Sequence, residues 1–571
     1  MKLLKTCLCI VIVLALTILV DMVTLFSISN LNTDLSLVDT NVFPHHKVIN
    51  VSITIAEEDY QKMLDTPLNE EYFKANVDYN GYTFNSVAIR TKGNSSLKSV
   101  ANTNSDRYSL KLDLDYYISE QNLFGIKNIN LNNLFADNTM MAEYLAYEML
   151  SELETAVPRT TYTALYINDK YVGLYLSVEQ VDESFLLNNY GNANGELYKP
   201  YQGEGCNLEY TTDNGKSYSG LQIKNKVNSA NNKLVELLKA IESPEKLDNI
   251  FNVDSFLKYL AMSVATIHLD CYQGGMFHNY YIYNNNDSFE WIAWDLNMAF
   301  NGFPKGPNEP EAFDFYIDEP VIGNMSNYPL IEAIFSKDEY VDKYHNYLQQ
   351  IASGYFNYTT FNDRVLEIYN MIKGYVKADP TAFYSYDEFE EALFADSENH
   401  VSLLNFAKLS STNIKQQLAG DKQSTNNGNG NVSGTNNRNI NKNKPPNNGE
   451  QKEKPTGTKN DKNMPFKFNE NGQVILPKDV SLNDLPSSLQ QYLIKGELPP
   501  RQEFENILEQ FSPELKQKLG LNKQIGFEGE RQVQDKQPKQ SSFYGLIPNL
   551  ILLILGTLGL IVFTLFIKHK F

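Results

Sequence analysis

Between Phe73 and Gly93 the sequence reads FKANVDYNGYTFNSVAIRTKG. Apolar and polar residues alternate on both sides of Asn80-Gly81. A period of two is that of a strand with one buried face. An Asn-Gly pair between two such runs supplies the positive φ values of a tight hairpin turn. The pattern recurs in TYTALYINDKYVGLYLSVEQV, which turns at Asn168-Asp169. VINVSITI (48–55) and YSLKLDLDYY (108–117) alternate in the same way. Thr54 and Glu57 form a capping box for a short helix over AEEDYQKML. VDESFLLNN reads as a short helix and GELYKP as a short strand, while TMMAEYLAYEMLSEL (139–153) has helical spacing. The first half is therefore strand-rich.

From Asn228 the pattern changes. NNKLVELLKAIES and VDSFLKYLAMSVATIHL are helical, and 329–418 carries Tyr, Phe and Leu stripes at three-to-four spacing, most simply core packing. Strands first and helices second predict an α+β, two-lobed body over 40–418. A polar Asn/Lys/Gly-rich stretch, 419–464, reads as a disordered linker. A small helical module is expected over 465–525, followed by a polar linker over 526–542.

Both ends are apolar. Residues 1–27 carry Lys2 and Lys5 ahead of an uncharged run, a signal peptide or an uncleaved anchor. Residues 543–567 are long enough for a spanning helix, which takes ~20 residues, and Lys568 and Lys570 follow. The expectation is a membrane-anchored, extracytoplasmic body with both termini inside if the first segment stays. With 571 residues, 42% of them hydrophobic, a large core is available. The net charge of −20 argues against nucleic acid as a partner. Cys206 and Cys271 are a bridge or two buried thiols.

Chemistry concentrates in HLDCYQGGMFHNYYIYNNNDSFEWIAWDLNMAF, 268–300. Asp270 and Asn279 flank one Gly-Gly loop, and Asp295 ends a strand one hairpin later. A carboxylate ending so apolar a strand is partly desolvated and calls for a cation. One carboxylate for an acceptor hydroxyl, then an amide oxygen and a second carboxylate for metal, is the order that phosphoryl transfer uses. Two plainer readings stay open: aspartates that cap a helix and close a turn, or a calcium loop at NNND, which lacks the usual ligand spacing. There is no G-x-x-x-x-G-K-[ST], so a P-loop is excluded. His278 has no zinc-spaced companions and reads as a loop histidine.

IRTKGNSS (89–96), the strand bearing Ser109 and Lys111, KYVGLYLSVEQVDESFL (170–186), GELYK (195–199) and IAWDLNMAF (292–300) together resemble the CotH family of atypical, kinase-like secreted proteins, over about residues 48–415. The resemblance implies a two-lobed kinase-like fold, ATP, Mg²⁺ or Mn²⁺, and phosphorylation of Ser on surface or spore-coat proteins. It matches Asp270 with the catalytic aspartate, Asn279 with a metal-ligand asparagine and Asp295 with the metal-binding aspartate. Asn279 stands nine residues after Asp270 rather than five, and Trp294-Asp295-Leu296 lacks the usual glycine.

A kinase needs a cation on the nucleotide phosphates, positioned by an acid. Glu179 and Lys199 are the first choice for that pair, with Arg90, Lys92 and Lys111 as further nucleotide-binding cations. The alternative is a non-catalytic surface or coat assembly protein on the same fold, favoured by the scarcity of ATP outside cells. A two-carboxylate hydrolase is a third reading, for which neither aspartate has an evident second acid.

Overall fold

The computed structural model describes residues 35–201, 203–302, 314–396 and 401–431, with short pieces between 467 and 512. It divides into two compact units, 1–449 and 450–571. In the first, strands β1 (Ile49–Ile55), β2 (Phe73–Tyr79), β3 (Tyr82–Thr91), β4 (Leu110–Asp113), β5 (Asn128–Asn132), β6 (Thr160–Ile167) and β7 (Lys170–Glu179) form a closed barrel in the order β1-β2-β3-β4-β5-β7-β6. Neighbours are antiparallel except β1 and β6, whose parallel pairing closes the barrel. The two hairpin turns form as their residues require: φ is 52° and 88° at Asn80 and Gly81, and 48° and 62° at Asn168 and Asp169. Val51, Ile53, Val77, Ile89, Leu112, Ile129, Leu131 and Tyr175 belong to one buried cluster within the barrel.

Strands β8 (Leu197–Pro200), β9 (Leu221–Ile223), β10 (Tyr280–Asn285) and β11 (Ser288–Ala293) make a second sheet in the order β11-β10-β8-β9. Helices α1 (Glu57–Asp65) and α2 (Ser95–Ala101) decorate the barrel. Helices α3 (Ala142–Glu152), α4 (Glu183–Tyr190), α5 (Asn232–Ile241), α6 (Val253–Ala265), α7 (Pro329–Phe335), α8 (Asp338–Gln350), α9 (Tyr358–Ala378), α10 (Tyr386–Phe394) and α11 (Leu403–Leu418) follow. One cluster runs from Leu176 and Val178 of β7 through Leu145 of α3, Leu260 of α6 and Trp291 of β11 to Ile414 of α11. Strands β6 and β7 are buried on both faces, so their sequences are nearly continuously apolar.

This corrects the expected two-lobed, kinase-like architecture flanked by membrane segments. A closed seven-stranded barrel has its own interior cluster, and Tyr162 of β6 with Leu174, Leu176 and Val178 of β7 joins it to a second cluster formed with the second sheet and the helices. Alternation identifies strands, but the non-local β1–β6 pairing leaves no local mark. Among the described residues no helix is long and apolar enough to cross a membrane, so the membrane-anchored localisation is withdrawn as well. The longest of them, α9, has 21 residues but carries Asp363, Arg364, Glu367 and Lys373. The apolar runs at 1–27 and 543–567 lie outside the described residues. The capping box also fails: Thr54 is inside β1, and Ala56 is the residue before α1, with no side-chain cap. Cys206 and Cys271 are buried free thiols.

Two buried acids tie late segments to this frame. Asp379, after α9, pairs with Arg107 at 2.8 Å, and both side chains are almost wholly buried. Arg107 also donates to the Asn133 and Leu174 carbonyls, and Leu174 N–H donates to Asp379 at 2.8 Å. Glu319 accepts from Thr425 Oγ1 and from the N–H groups of Asn426, Asn427 and Gly428 at 2.7–3.1 Å. The first residues of the Asn-rich stretch are thus fixed to the body. In the second unit β12 (Lys467–Phe468) pairs with β13 (Val474–Ile475), and α12 spans Ser487–Ile494.

Gly173 has φ +151°, and a Cβ there would run into the Arg107 guanidinium and the Asp379 carboxylate. Gly173→Ala should therefore cost about 3–5 kcal/mol, as for a broken buried ion pair. Urea unfolding of the full chain measures it; a loss below about 1 kcal/mol would show that this pair is not a tie.

Candidate active site

The outer face of the barrel carries the polar residues that its inner face excludes. Arg90 in β3, Lys111 in β4 and Asn130 in β5 are register neighbours, and Lys92 and Asn132 lie two residues along the same face. Lys92 Nζ donates to Asn132 Oδ1 at 2.8 Å, and Asn132 Nδ2 donates to Glu143 Oε2 at 2.8 Å. Glu143 enters from the first turn of α3 and is 2% exposed. Burial, reinforced by Asp295, lifts its carboxyl to about 8. Burial also lowers Lys92 and Lys111 below the usual lysine range; Asp295 and Glu143 oppose this at Lys92.

The second sheet supplies the facing wall. Lys199 of β8 has its ammonium 5.0 Å from the Tyr281 ring centre and 5.2 Å from that of Trp294. Lys92 lies 5.7 Å from the same Trp294 ring. An electron-rich ring face attracts both cations. Burial takes Lys199 down to about 8, against the pull of Asp295. Asp295 has φ +57° and donates its N–H to Tyr147 Oη at 3.1 Å. A left-handed, non-glycine residue here is backbone strain held by its surroundings.

The loop after α6 brings in the third group. His278 Nε2 meets Asp270 Oδ1 at 2.9 Å. Asn279 Nδ2 donates to the Asp270 carbonyl at 2.7 Å and to Asp270 Oδ2 at 3.2 Å. Burial raises the Asp270 carboxyl, but His278, together with His268 and Asn279, outweighs it and the net shift is downward. Trp294 N–H donates to the Asn279 carbonyl at 3.3 Å, which sets Asp295 next to Asn279.

Lys92 and Lys199 therefore meet Trp294 and Asp295 from both walls, and Asn279, bonded to Asp270, joins them through the Trp294 backbone in one polar seam. Arg90 lies at its edge, paired with Glu70 and 5.4 Å from the Tyr72 ring centre. Lys111 has Asp113 and Asp182 as its acidic neighbours. Asp182 itself caps α4, accepting from Ser184 and Phe185 N–H. The expected Glu179–Lys199 pair does not form: Glu179 pairs with Arg159 at 3.1 Å, and burial raises its carboxyl to about 7. Glu179 ends a barrel strand opposite Ile129, whereas Lys199 belongs to the other sheet.

Sequence reasoning missed Asn132 and Glu143, and gave Trp294 no role beyond its place in the motif. A Glu inside the apolar run MMAEYLAYEML was the one available signal. Among the described residues no group of three or more His, Cys, Asp or Glu side chains is placed to hold a metal. The set here has two carboxylates and one amide. Asn279 spends its N–H₂ on Asp270, and its Oδ1 takes no part in those bonds. Such oxygen donors fit a hard divalent cation that keeps several waters.

A carboxyl whose folded pKa lies above its ordinary value of 4.5 stabilises fully below that value, and the contribution is lost as pH rises through about 8. Glu143→Gln should therefore flatten the fall of the melting temperature across that window. Parallel curves for variant and wild type would rule out a buried, raised Glu143.

The family model for "CotH kinase protein" matches residues 89–408. Inner spore coat protein H of Bacillus subtilis is 24% identical over 272 residues, 45% of this chain and 70% of that protein. Invasin CotH2 of Rhizopus delemar is 25% identical over 279 residues, 45% of this chain but only 46% of that protein. The matched segment takes in the end of β3, Lys92, Glu143, Lys199, the Asp270 loop and Asp295, more than half of the sequence, and the chain belongs to the CotH family.

Proposed function

We propose that this chain is a metal-dependent protein serine kinase, moving the γ-phosphoryl group of ATP to Ser residues of surface or spore-coat proteins. The observation that carries the reading is the approach of Lys92 and Lys199, from opposite walls, to one indole and one carboxylate, Trp294 and Asp295. Two partly desolvated ammonium groups suit the phosphate oxygens of a nucleotide far better than solvent-facing lysines would.

Asp295 and Asn279 Oδ1 would hold Mg²⁺ or Mn²⁺, whose chemistry is to neutralise charge on the β- and γ-phosphates. Lys92 is steadied by Asn132 and, through it, by Glu143. Lys199 adds charge from the second sheet. Asp270 accepts a hydrogen bond from the acceptor hydroxyl and aims its oxygen at the γ-phosphorus. As the new O–P bond forms, the bond to the β–γ bridging oxygen breaks and ADP leaves with that electron pair. The hydroxyl proton passes to Asp270. A carboxylate held below its usual range is a weak base, so Asp270 chiefly orients the hydroxyl until late in the transfer.

The second reading, a non-catalytic coat or surface assembly protein on this fold, draws on the relatives' names, one a coat protein and one an invasin. The full chain, γ-labelled ATP, Mn²⁺ or Mg²⁺ and a Ser-containing coat protein decide between them. Transfer that falls at least about a hundredfold in Asp295→Ala and Asp270→Ala supports the kinase. No transfer by the wild type with either metal, and no metal-dependent thermal shift with ATP, leaves the assembly reading.

A further inference from the structure

His278 holds a place that the phosphotransfer chemistry above does not use. It stands between Phe277 and Asn279, whose φ values are 50° and 59°. Left-handed residues on both sides bend the chain at that point. The ring thereby turns back across the loop to Asp270 Oδ1, 2.9 Å away. The fold keeps it there from behind: Phe277 packs on Tyr328 and Tyr272 at 5.3 and 5.9 Å between ring centres. Ile322 N–H donates to the Gln273 carbonyl at 3.0 Å. Gly274 has no room for a side chain against Leu269.

The Asp270 carboxylate is consequently gripped from both oxygens by consecutive residues, His278 on Oδ1 and Asn279 on Oδ2. An oxygen of a carboxylate has more than one lone-pair direction, so each keeps capacity for a further donor. With 18% of the Asp270 side chain and 24% of the His278 side chain exposed, the pair is open enough to solvent for an acceptor hydroxyl to reach it.

From this geometry we infer that His278 is a positioning residue for Asp270, fixing the rotation of its carboxylate so that the remaining lone pair faces the acceptor hydroxyl. The inference rests on the phosphotransfer reading for what Asp270 does, though not for the contact itself. An aspartate free to rotate would meet the hydroxyl in fewer productive orientations, which lowers turnover without touching nucleotide binding. The loop explains its own length: nine residues from Asp270 to Asn279 give the chain room to place His278 ahead of Asn279.

The test compares His278→Ala with His278→Gln in the full chain. The Gln amide reaches about as far as Nε2 and still donates. Expected for His278→Ala is a fall in kcat of about ten- to a hundredfold with KM for ATP unchanged, and for His278→Gln a recovery of most of it. A His278→Ala enzyme within twofold of wild type overturns the inference. So does a loss shared by kcat and KM for ATP that Gln does not relieve, the mark of a merely structural role. The contact is also read without turnover, in ¹⁵N-histidine spectra of the full chain. The His278 ring resonance should move in Asp270→Asn, and an unmoved resonance overturns the inference. A wild type that transfers no phosphate sinks the kinase reading alone, because the spectra still decide whether His278 holds Asp270.

Discussion

Closure of the barrel through the parallel pairing of β1 with β6 is the constraint on which the rest of the structure depends. A closed barrel has one inside, and seven strands fill it with side chains. Every second residue must then point outward. Over β1 and β2 those residues meet water; over β5, β6 and β7 they meet the helices and the second sheet. The seam between barrel wall and second sheet is thus set by the alternation of the strands. Arg90, Lys92, Lys111, Asn130 and Asn132 are its outward-facing residues.

Cations in such a seam are costly unless something meets them. Asp295 acts electrostatically on Lys92, Lys199 and Glu143 at once. One accessible carboxylate among two lysines and a buried acid is a poor way to stabilise a fold, since apolar packing would serve as well or better. On the proposed reading it prepares a site, because the charges would stay only partly compensated until a polyanion and a cation arrive together. The positive φ at Asp295 and Asn279 fits the same account, as strain at the residues whose direction matters.

What was legible in the sequence is what local chemistry decides. Asn80-Gly81 and Asn168-Asp169 turn their hairpins because those residues tolerate a left-handed backbone. The Asp270–Asn279 contact is short-range, and its order along the chain was readable. What depends on long-range pairing was not. The barrel needs a strand near residue 50 to find one near 163, and Glu179 and Lys199, though close in sequence, belong to strands of different sheets. Glu143 hid in a helix whose apolar neighbours made it look like an ordinary polar position. Its partner, Asn132, lies 21 residues after Lys111, the nearest charged candidate that the sequence offered, and only the barrel wall brings it to Lys92.

Membership of the CotH family covers residues 89–408, while β1, β2 and the second unit lie outside the matched segment. The central claim is that Asp295 and Asn279 complete a metal–nucleotide site between Lys92 and Lys199. Electron paramagnetic resonance of Mn²⁺ with ATP and the full chain tests it most directly. The account predicts that free Mn²⁺ signal is lost on adding protein and ATP, beyond what ATP alone removes, and that Asp295→Asn abolishes this loss whereas Asp182→Asn does not. Equal Mn²⁺ uptake by wild type and Asp295→Asn would contradict it.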